Sequence, residues 1–231
     1  MIDQHTYEIG TAARDYQRTR LGAAGLAVAA VLSVVYETAA PRLDQSTLAG
    51  AESWAGTGWL VGHIAAVGMF VLYTVGLLGL YLALRPTRSE RTALRATVLA
   101  WIGVGLTLPY YGAEVFGLRA IGAHAAAVQD QSLVPLGENF RSDPTASTMF
   151  ALGLGLLGVA AVLAAVAVWR SQLLPRTGAI RQAVGFALFI PQFFAPQPVR
   201  IGHAVLLAIG LLALAWGMVR ARTAAPQSVS A

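Results

Sequence analysis

The sequence predicts an all-α protein: a polytopic integral membrane bundle of six transmembrane helices with both termini on the inner side. Three observations carry that expectation. Of 231 residues, 56% are hydrophobic and only 12% are charged, too few polar side chains to clothe a soluble domain. The apolar residues gather in runs, most of them near the length that crosses a bilayer as a helix. Finally, the segments between the runs alternate in basic content: twelve arginines fall on one set and four (Arg42, Arg119, Arg141 and Arg200) on the other. The positive-inside rule assigns the richer set to the cytoplasmic side.

The same composition excludes several classes of function. A net charge of +5 could suggest nucleic acid, but the arginines stand in short blocks between apolar runs, where membrane topology accounts for them, so no nucleic-acid partner is expected. All sixteen basic residues are arginine and there is no cysteine, which rules out disulfides, thiolate nucleophiles and Cys-ligated metals. Neither a GxSxG elbow nor a phosphate-binding loop is present.

In chain order, residues 1–20 read as a cytoplasmic leader ending in Arg14, Arg18 and Arg20, and 21–220 as the bundle. The first span covers 21–40; Tyr36-Glu37-Thr38 makes a poor cleavage site, so it is kept as a span rather than a signal peptide. A polar loop follows, closed by Trp54 and Trp59, which fit an interfacial aromatic pair. Span two, 59–84, stops at Arg85-Pro86, and the most basic loop leads to span three, 96–118, where Pro109 predicts a kink and a freed carbonyl near Glu114. The polar segment 119–145 contains a candidate surface helix over 120–134, with Ile121, Val128 and Leu133 on roughly helical spacing. Span four, 146–169, carries Gly153, Gly155 and Gly158 for close helix packing. Span five, 183–195, is short and broken by Pro191 and Pro196; span six, 201–219, ends at Arg220 and Arg222, before a disordered tail over 221–231.

Function is read from depth. Glu114 lies 19 residues past Arg95, roughly 29 Å along a helix, so an expensive carboxylate sits near the far edge of the hydrocarbon. Glu37 is 17 residues from Arg20 and His203 is 17 from Arg220, each roughly 26 Å; His63 is 22 residues from Arg85, roughly 33 Å. All four therefore fall in one slab at the outer leaflet, together with Tyr36, Trp59, Tyr110, Tyr111 and Arg200. If the helix faces converge, they form a pocket in which Glu114, Glu37, His63 and His203 are the candidate catalytic groups and the other five bind substrate.

Three chemistries suit such a pocket. Acid–base catalysis on a lipophilic small molecule, of an isomerisation or cyclisation type, would use a carboxyl group desolvated among aromatics with His or the second Glu as its partner. Metal-assisted chemistry would recruit His63, His203 and His124 for zinc, and a b-type haem would need His63 and His203 as axial ligands. A pocket that binds a lipid or small molecule without catalysis is the non-enzymatic alternative. The first is preferred, in a protein of the prokaryotic cytoplasmic membrane with no cofactor assigned.

Overall fold

In the computed structural model the protein is described from residue 4 to 223, with side chains from 15 to 221. The described residues are all-helical and hold no strand. The N-terminal polar segment and the first span form one helix, α1 (Gln4–Ala39). A short helix, α2 (Leu48–Ala55), interrupts the loop expected between spans one and two; Thr47 caps it by accepting a hydrogen bond from the Gly50 amide at 3.1 Å. There follow α3 (Thr57–Leu84) and α4 (Glu90–Gly112), and α4 passes through a π turn (Ala113–Gly117) directly into α5 (Leu118–Val128). Next come α6 (Pro135–Ser142) and α7 (Pro144–Ser171), then α8 (Arg176–Ala187), a 3₁₀ turn (Pro191–Phe194) and α9 (Gln197–Thr223). Asp143 and Pro144 set the start of α7, the aspartate accepting from the Ala146 amide at 2.8 Å and the proline occupying the first turn, where its missing N–H costs nothing.

Packing follows chain order and then closes on itself: α1 lies against α3, α3 against α4, α4 against α7, α7 against α8, α8 against α9, and α9 against α1. Five helical stretches are long and apolar enough to cross a membrane, and the chain is a multi-pass membrane protein by that measure. The span expected over 183–195 is not among the five: that stretch is the 12-residue α8, which starts earlier at Arg176 and is followed by the 3₁₀ turn. Proline at 191 and again at 196 stops a helix that would otherwise have continued.

Small residues let the helices approach. A Cβ at Gly22 would stand 2.5 Å from the Gly79 Cα, so α1 and α3 cross backbone to backbone. Gly153 does the same for α7, where a Cβ would meet Thr107 Oγ1 of α4 at 2.5 Å. The other two glycines expected to pack α7 do not serve that end: Gly155 has nothing within 4 Å of its Cβ position and Gly158 only ordinary contacts. One polar network crosses the core, where Tyr73 of α3 donates to Gln182 of α8 at 2.9 Å and Gln182 donates to the Ala161 carbonyl of α7 at 2.8 Å. Of the tail expected over 221–231, residues 221–223 continue α9 as helix and the rest lies outside the described residues.

Candidate functional site

The segments expected to be loops at one end of the bundle form a folded cap. Here α5 does not lie apart as a surface helix; it packs on α2, with the Gly122 Cβ position 2.4 Å from the Ala51 carbonyl. Trp54 and Trp59 are buried in this cap rather than placed at a lipid interface, being 0% and 1% exposed. Beneath the cap is a cavity of about 450 Å³.

Glu114 is set by the π turn, a one-residue expansion of the helix that alters the direction of the side chains following α4. The helix runs through Pro109 itself, and the irregularity falls just beyond it. The Glu114 carbonyl accepts a hydrogen bond from the Trp59 indole at 2.7 Å. Its carboxylate accepts two from Arg141, at 2.8 and 3.1 Å, in the paired geometry that suits guanidinium. Burial works against the Arg141 charge, but the Glu114 carboxylate overcomes it and the net shift of the arginine pKa is upward. Arg141 also lies over the rings of Trp54 and Trp59, at 5.6 and 6.0 Å.

His63 faces the same carboxylate, with Nε2 3.9 Å from Glu114 Oε2. Its Nδ1 is 2.9 Å from the Trp59 carbonyl, one turn earlier on α3. A carbonyl only accepts, so Nδ1 carries a proton, and in the neutral ring Nε2 is then the free acceptor that faces the cavity. Three aromatic rings hold the imidazole in place: Trp59 stacks on it at 4.0 Å, Tyr36 meets it edge-on at 5.6 Å, and Tyr111 lies at 6.2 Å.

Glu37 lies behind the part of the wall formed by Arg42 and Arg200, 2% exposed, between the two guanidiniums. Arg42 donates to it at 2.9 Å and Arg200, from α9, at 3.0 and 3.3 Å. Tyr111 donates to the Tyr36 hydroxyl at 3.3 Å, and Tyr110 stacks on Phe150 at 4.1 Å. Across the cavity and its immediate shell, Arg42, Arg141 and Arg200 are paired with Glu37 and Glu114, and a third carboxylate, the exposed Glu138, also lines the cavity.

Seven of the sequence-predicted residues thus line one cavity: His63, Glu114, Tyr36, Trp59, Tyr110, Tyr111 and Arg200. Glu37 joins them through its arginines. His203 does not; its Nε2 is 2.7 Å from the Gly185 carbonyl in the seam between α8 and α9, and its ring packs on Phe189. His124 is exposed on α5. Among the described residues no three His, Asp or Glu side chains gather as a metal-binding group, and with His203 turned to a backbone carbonyl the ligand pair expected for haem is not assembled. Sequence reading missed Arg42 and Arg141 as site residues. No protein family, curated protein or solved structure matches the chain.

Proposed function

We propose that this chain is an integral membrane enzyme that binds a lipophilic small molecule bearing an anionic group and moves a proton on it through His63. The observation that carries the reading is the bare Nε2 of His63, held by Trp59 and turned toward a carboxylate at 3.9 Å inside a cavity of about 450 Å³. A neutral imidazole so placed is a general base, and the nearby Glu114 carboxylate favours the imidazolium once the proton is taken. Glu114 itself is fully engaged with Arg141, so its role is to orient and stabilise rather than to donate. Glu37 likewise anchors Arg42 and Arg200, and the forked donors of the three guanidiniums receive the ligand's anionic group. The aromatic walls, Tyr110, Tyr111 and Phe150 among them, receive the apolar part.

The test begins with the lipids and small molecules that stay on the detergent-purified protein, identified by mass spectrometry. Incubating wild type and His63→Gln in D₂O with the retained compound then reads proton transfer. Label incorporation or product formation should fall by about 10²- to 10⁴-fold in His63→Gln. Equal retention of the compound with no labelling in wild type would leave the cavity as a binding site without catalysis, the second reading that the same geometry supports.

A further inference from the structure

The cavity does not end at Arg141. A second cavity of about 680 Å³ shares Gln45, Glu138 and Arg141 with it and continues between Asp44 and Gln131. The charged lining shifts along this path: Arg42 and Arg200 line only the inner chamber and Asp44 only the outer one, while Arg141 and Glu138 stand at the passage between them. Neither Asp44 nor Glu138 forms an ion pair among the described residues. The Ser46 hydroxyl and amide hold the Asp44 carboxyl below its ordinary range, so it stays ionised. Another part of the inner chamber's wall is Phe193 and Phe194, and Phe194 is 88% exposed beside the apolar exterior of the bundle.

We infer that the ligand is an amphipath whose head joins a phosphodiester to a primary ammonium, as an aminophospholipid does. This rests on the reading of the cavity as a ligand site. The phosphodiester lies among Arg42, Arg141 and Arg200, whose forked donors match its oxygens. The ammonium stands between Asp44 and Glu138 in the outer chamber. Apart from Arg141 at its inner end, that chamber presents carboxylate and amide oxygens and no aromatic ring, a lining that accepts hydrogen bonds from a primary ammonium and offers no cage for a trimethylated one. The acyl part leaves past Phe193 and Phe194 toward lipid.

The experiment places wild type in nanodiscs of mixed phosphatidylethanolamine and phosphatidylcholine and measures, by native mass spectrometry, which lipid survives on the protein after transfer to detergent. Wild type should retain phosphatidylethanolamine over phosphatidylcholine by about tenfold, the worth of one charge-assisted hydrogen bond. The paired variant Asp44→Asn, Glu138→Gln, at exposed positions that leave the fold intact, should lose that preference and still retain phospholipid. Competition by millimolar phosphoethanolamine would show that the head is recognised in soluble form; its failure to compete would show that the tail is required. Equal retention of the two lipids by wild type, or an unchanged preference in the paired variant, overturns the inference. Proton transfer through His63 is read separately by deuterium, so either reading can fail without the other.

Discussion

Glu37 shows how much of this site rests on single side chains. It is buried, and each of its oxygens is taken by a guanidinium, from Arg42 five residues on and from Arg200 on the last helix. Removing one partner of such a group leaves the others charged and desolvated, at a cost of roughly 3–5 kcal/mol. Glu37→Gln should therefore lower stability by about that much in a detergent unfolding titration. The double variant Glu37→Gln, Arg200→Met should recover part of the loss, and a double variant no more stable than the single would show that the pair contributes nothing. The two carboxylates were legible in the sequence because charge at that depth is costly. Their partners were less so, and for a physical reason: an arginine in a polar loop looks solvated until the fold brings a carboxylate to it. One signal was available. Arg42, Arg141 and Arg200 stand on the side that the positive-inside bias leaves poor in arginine, and all three sit on buried carboxylates. His203 shows the converse error, since equal depth along two helices places two histidines in one layer without turning them to one face.

At the scale of the element, the long apolar helices were legible from hydropathy alone, whereas α2 and the packing of α5 were not, because their short amphipathic stretches gain stability only from each other. The π turn is likewise invisible in composition. It adds one residue to the helical path, so deleting Phe116, which is exposed within it, should restore a regular helix while rotating α5 by about 100° relative to α4. Circular dichroism should stay nearly unchanged while ligand retention falls sharply; full retention would show that the turn does not position the site. The glycines provide a contrast. Gly79→Val drives a side chain into the α1 backbone and should destabilise the protein by roughly 1–3 kcal/mol, whereas Gly155→Ala, with open space around it, should be neutral or stabilising by up to about 1 kcal/mol. Thermal unfolding in detergent measures both.

For the molecule as a whole, the arginine count predicts that the cavity end faces outward. The chain has no cysteine, so one introduced thiol reports one position. In intact cells Ser46→Cys and Ser132→Cys should react with an impermeant maleimide, and Thr177→Cys only after lysis; the reverse pattern would invert the topology. The ring in which α9 closes on α1 also constrains biosynthesis. Helices leave the ribosome in order, and Glu37 enters the membrane long before Arg200, 163 residues later, has been made. Arg42 is the only cavity arginine near enough in the chain to neutralise that carboxylate during the interval. Its loss should thus be felt first as failed insertion or degradation of the nascent protein, before any defect in the finished one, and the anion site itself comes into being only with the last helix.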